Sequence, residues 1–94
     1  MMEETTSFAL ASAVVLVYPE RLQEVASVIS TMPGVVVHHV SEVGKLVVTL
    51  EGAEFEPLAD LLTTIKHTDG VLSADLIYQH FEEASAPHSK EMVL

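Results

Sequence analysis

Pro33-Gly34-Val35-Val36-Val37-His38-His39-Val40-Ser41-Glu42-Val43-Gly44-Lys45-Leu46-Val47-Val48-Thr49-Leu50-Glu51-Gly52 is the stretch on which the fold turns. Two β-branched runs are split by a short turn, residues 41–44, and bounded by Pro33-Gly34 and Gly52. The pattern predicts strands over 35–40 and 45–51, paired as a hairpin. Outward on both sides the period changes from that of a strand to that of a helix. Upstream, Leu22, Val25, Ala26, Ile29 and Met32 form a helical stripe that begins after Pro19 and stops at Pro33-Gly34. Downstream, Leu58, Leu61, Leu62 and Ile65 form a second stripe over 55–66, with Pro57 tolerated in its first turn. Further out lie a near-continuous apolar run over 9–17, as a central strand requires, and a strand over 71–79 after the Asp69-Gly70 turn.

The order is βαββαβ. Leu22, Val25, Ala26, Ile29, Gly34 and Val35 are echoed in sequence by Leu58, Leu61, Leu62, Ile65, Gly70 and Val71. Two such halves with right-handed crossovers predict an α+β, ferredoxin-like sandwich. Its four-stranded antiparallel sheet would have order 4-1-3-2, with both helices on one face. Residues 1–7 read as a flexible N-terminus, 8–81 as the domain, and 82–94, which include Ala-Ser-Ala-Pro-His-Ser, as a disordered acidic tail.

Composition narrows the function. With 14 Asp and Glu against 4 Lys and Arg, the 94-residue chain has a formal charge of −10. Nucleic-acid affinity depends on neutralising phosphates, and Arg21, Lys45, Lys66 and Lys90 are the only cations available to do it. Insertion into an anionic membrane is disfavoured likewise. A cationic partner would be steered in. The acidic start Met1-Met2-Glu3-Glu4 lacks the positive charge of a secretory signal. The run from Phe8 to Val17 is too short to span a bilayer. The absence of cysteine excludes disulfides, zinc-thiolate sites and a cysteine nucleophile.

Strand alternation predicts what the uncovered face presents. Ser12, Val14 and Leu16 are assigned outward on the first strand, and Val47, Thr49 and Glu51 with Lys45 on the third. On the fourth, Ser73, Asp75, Ile77 and Gln79 are assigned outward, leaving Leu72, Ala74, Leu76 and Tyr78 to pack on the helices. Regular alternation sends His38 and His39 to opposite sides of the second strand. The expected face has an apolar middle, hydrogen-bonding groups around it and carboxylates on it or at its rim. Such a surface fits a partner. The alternative use of the face is self-association, sheet to sheet or edge to edge, so the chain is expected to be a monomer or a weak dimer, and the second strand, as an edge, could also accept an added strand.

No constellation for catalysis emerges. The five histidines, His38, His39, His67, His80 and His88, show no metal-ligand spacing, and there is neither a nucleophile elbow nor a Gly-rich phosphate loop. The expectation is a non-enzymatic binding protein without a cofactor.

The segment from about Ala9 to Glu83 resembles the NapD family. The matching stretches are Ser12-Ala13-Val14-Val15 leading to Pro19-Glu20-Arg21-Leu22, then Met32-Pro33-Gly34-Val35. Gly44-Lys45-Leu46-Val47-Val48-Thr49-Leu50-Glu51, Gly70-Val71-Leu72-Ser73-Ala74 and Leu76-Ile77-Tyr78 follow. Relatives commonly carry Tyr-His after the fourth strand, whereas here Gln79 separates Tyr78 from His80. The resemblance implies a cytoplasmic chaperone that binds the twin-arginine signal peptide of the periplasmic nitrate reductase catalytic subunit, NapA. Export would be held back until the molybdenum cofactor is loaded and the enzyme folded. The alternative on the same fold is a ligand-binding or oligomerising regulatory module, like an Lrp/AsnC effector domain or an ACT domain. Those effector domains often carry Gly-Tyr/His-Asp entering the third strand, where this chain has Gly44-Lys45-Leu46. An acylphosphatase-like hydrolase would need an arginine phosphate cradle, which Arg21 at a helix start does not supply.

Overall fold

The computed structural model describes residues 7–83. Strand β1 is Ser7–Val17 and leads through a 3-10 turn at Pro19–Arg21 into helix α1, Leu22–Ser30. Strands β2, Val35–Ser41, and β3, Lys45–Gly52, form the hairpin, followed by helix α2, Phe55–Lys66, and strand β4, Val71–Glu83. The sheet is antiparallel in the order β2-β3-β1-β4, the expected arrangement. Pro19 costs the first turn no hydrogen bond, because helix-initial N–H groups lack intrahelical partners.

One sheet face carries the core. Ala9, Ala11, Ala13, Val15 and Val17 of β1 alternate inward with Leu46, Val48 and Leu50 of β3. Leu22, Val25 and Ile29 of α1, with Leu58 and Ile65 of α2, close over them. Burying each of these larger aliphatic side chains contributes about 1.5–3 kcal/mol. No buried polar or charged residue interrupts this layer among the described residues.

Two ties set the helix layer on the sheet. Arg21 donates to both carboxylate oxygens of Glu24, at 2.9 and 3.0 Å, and to Asp69 at 3.1 Å. It therefore clamps the start of α1 to the turn entering β4. The Glu24 carboxyl is held below its ordinary pKa by the guanidinium, chiefly through these hydrogen bonds. At the other end of the sheet, the Glu51 N–H donates to the Gly34 carbonyl at 2.9 Å, joining the α1–β2 turn to β3.

The termini of the sheet run further than the sequence predicts. Ser7 is paired with Glu83 and Phe8 with Glu82, so β1 begins at Ser7 and β4 continues past Gln79 to Glu83. The hydrophilic composition of Glu82-Glu83 suggests a tail, but both residues pair with β1 on the inner side of β4. The rest of the expected N-terminal and C-terminal flexible segments, residues 1–6 and 84–94, lies outside the described residues.

Candidate functional site

The face of the sheet opposite the helices is laid out by the pairing register. Val14 of β1 lies between Val47 of β3 and Asp75 of β4, and His39 of β2 extends that row beyond Val47. In the next row Ser12 lies between Thr49 and Tyr78, with Val36 beyond Thr49. Leu16 lies between Lys45 and Ser73, and Leu10 between Glu51 and His80. The result is an apolar strip, Leu10, Val14, Leu16 and Val47, with hydroxyls at its middle and carboxylates at its margins. Leu16, Val36 and Tyr78 are 40%, 46% and 53% exposed, high values for large side chains, and they mark a surface without cover among the described residues.

Ser12, Val14, Leu16, Val47, Thr49, Glu51, Ser73 and Asp75 are thus gathered on one surface. Gln79 is not. Between Ser12 and Ala13 of β1 the register with β4 shifts by one residue, so Leu76 faces Ala13 while Tyr78 faces Ser12, and Ile77 has no partner. One extra residue on one strand reverses the face of everything after it. Gln79 consequently lies opposite Ala11 on the helix side, where it lines a cavity of about 270 Å³ with Ala11, Leu62 and Leu76. Tyr78, expected against the helices, stands on the open face instead, as does His80. A similar shift between Leu16 and Val17 leaves Leu72 unpaired and exposed, so it does not join Ala74 in the core. Ile77 keeps its expected exposure, but as an unpaired bulge residue rather than as a member of the regular ladder.

A third shift, between Val37 and His39, corrects the reading of β2. His39 pairs with Val47, an open-face residue. The extra residue, His38, reaches Thr49 on the same face, with Nε2 2.7 Å from Oγ1. Both histidines therefore share the open face, which regular alternation forbids. Sequence carries no distinguishing signal for these irregularities. The like pairs His38-His39, Val71-Leu72 and Leu76-Ile77 hold the extra residues, but Val14-Val15, Val36-Val37 and Val47-Val48 are equally alike and pair in regular register. Even so, the described residues contain no group of three or more His, Asp or Glu arranged to hold a metal ion.

An antiparallel sheet with one face roofed by helices and the other open, apolar along its middle and acidic at its edges, defines a small α+β sandwich whose open face suits a protein partner. Residues 8–83 match the family model described as NapD protein, and the chain belongs to the NapD family. It is 30% identical over 80 residues to the chaperone NapD of Escherichia coli strain K12, covering 83% of this chain and 91% of that one. It is 33% identical over 76 residues to the chaperone NapD of Paracoccus pantotrophus, covering 81% of this chain and 67% of that one. The solution structure of the E. coli Tat proofreading chaperone NapD superposes with a TM-score of 0.72 at 26% identity, over 76% of each chain. These relatives are chaperones, a non-enzymatic class, and the family match favours that reading over the regulatory-module alternative.

Proposed function

We propose that this chaperone binds the twin-arginine signal peptide of a periplasmic nitrate reductase catalytic subunit on the open face of its sheet. It acts in the cytoplasm, holding the precursor back from export until the molybdenum cofactor is loaded and folding is complete. The observation that carries this reading is the strip Leu10–Val14–Leu16–Val47, apolar, half-buried to exposed and roofed by no other element among the described residues, with Glu51, Asp75 and Glu82 along its margins. A signal peptide of this kind joins an arginine pair to an apolar helical stretch. The apolar stretch would lie on the strip, as an amphipathic helix lies in a groove. The arginines would form charge-assisted hydrogen bonds to carboxylates. The formal charge of −10 would accelerate encounter with a cationic segment.

Calorimetric titration with a synthetic peptide carrying the arginine pair and the apolar stretch tests the reading. Low-micromolar or tighter binding is expected, weakened when one arginine becomes glutamine. Binding indifferent to the arginines would refute the charge pairing, and no binding at all would refute the assignment.

A further inference from the structure

The two ends of the open face carry different charge, and a guest with one basic end and one apolar end is sensitive to that difference. Where β3 ends and β1 begins, Leu10 sits beside Glu51, and Phe8 sits beside Glu82. Glu54 and Glu56, at the start of α2, add to the same end. His80 Nε2 stands 3.8 Å from Glu82 Oε1, so Glu82 is turned along the open side of β4 beside His80. At the opposite end Leu16 sits beside Lys45. Arg21, at the exit of β1, and Lys66, at the last turn of α2, belong to that end too. All cations among the described residues are therefore gathered there, where they offset Glu20, Glu24, Glu42 and Asp69.

Building on the proposed seat for the signal peptide, we infer that the guest lies in a single polarity. Its arginine pair rests over Glu51 and Glu82, and its apolar stretch runs across Ser12, Val14 and Val47 toward Leu16. Spacing supports the assignment. Glu51 and Glu82 are separated by two strand spacings across the sheet and two residues along it, which places their backbones about 12 Å apart. Two neighbouring arginines on a helix diverge by about 100° and can reach two carboxylates so spaced. Asp75 stands alone in its row beside Val14 and can meet only one of them. The remaining run from Leu10 to Leu16 is about 20 Å long, matching about 13 residues of helix. The reversed guest would put its arginines beside Lys45 and away from the more acidic end.

The test uses the full chain, labelled with ¹⁵N, and the synthetic peptide carrying a nitroxide either before the arginine pair or after the apolar stretch. The first label is expected to broaden amides around Leu10, Glu51 and Glu82, and the second those around Leu16, Lys45 and Ser73. The reverse pattern, or equal broadening at both ends from each label, would overturn the polarity while leaving the seat intact. Broadening away from the open face would overturn the seat itself. In parallel, Glu51→Gln and Glu82→Gln should each weaken binding about 1.5- to fivefold, as expected of exposed charge pairs. Each loss should vanish against a peptide lacking its partner arginine, and a loss that persists undiminished against both single-arginine peptides would refute the pairing.

Discussion

Gly34→Ala is the substitution in which fold and proposed function meet. Gly34 has φ +84°, a left-handed conformation that costs a residue with a Cβ about 1–2 kcal/mol. A Cβ built there would lie 2.5 Å from the Glu51 carbonyl oxygen, a backbone atom of β3 that cannot swing aside. The same contact region holds the 2.9 Å hydrogen bond from the Glu51 N–H to the Gly34 carbonyl. Losing part of that bond adds about 0.5–1.5 kcal/mol. The sum is about 1.5–3.5 kcal/mol. For a domain of this size each kcal/mol lowers Tm by about 4–8 °C, so the expected fall is about 6–28 °C. Gly52→Ala is the matched control. Gly52 is not left-handed, and the nearest atom to its added Cβ would be the tip of Leu58 at 3.3 Å, a side chain that can give way, with the Glu54 carbonyl oxygen at an ordinary 3.8 Å. Thermal unfolding followed by circular dichroism, with both variants beside the unsubstituted chain, checks the reasoning. A Gly34→Ala variant melting within about 3 °C of the parent, or no less stable than Gly52→Ala, would refute it.

Leu46→Ala removes a fully buried side chain from the middle of the core and should cost about 2–5 kcal/mol in urea unfolding, and a much smaller loss would contradict the packing described. Arg21→Gln should destabilise the chain most at neutral pH. Glu24 has a depressed pKa in the folded state, so its contribution is complete above the ordinary carboxylate range and disappears as pH falls through the depressed value. The gap between the two urea midpoints should therefore narrow on acidification, and a pH-independent gap would exclude the ion pair as its source. On the open face, Val47→Asp and Asp75→Lys should each weaken peptide binding, by about fivefold or more, with an unchanged circular dichroism spectrum. Undiminished affinity in both would move the seat elsewhere, with the exposed edge of β2 the next surface to test.

Sequence was enough for the elements, their order and the sheet topology. The change of period at Pro33-Gly34 and again at Gly52 marks where strand gives way to helix, and apolar spacing on Leu22, Val25, Ile29, Leu58 and Ile65 marks the face each helix buries. These are local properties, set by 3.6-residue and two-residue repeats along the chain. The open-face positions of β1 and β3 followed from the same alternation, because both strands run without an inserted residue against each other from Ala9 to Leu16. The edge strands were decided only by the tertiary structure. There, a single unpaired residue at His38 or Ile77 changes which side every later residue presents, and the choice between bulge and regular pairing depends on contacts with the neighbouring strand. That is why Gln79 passes to the helix side, why Tyr78 and His80 reach the open face, and why His38 and His39 can stand on it together.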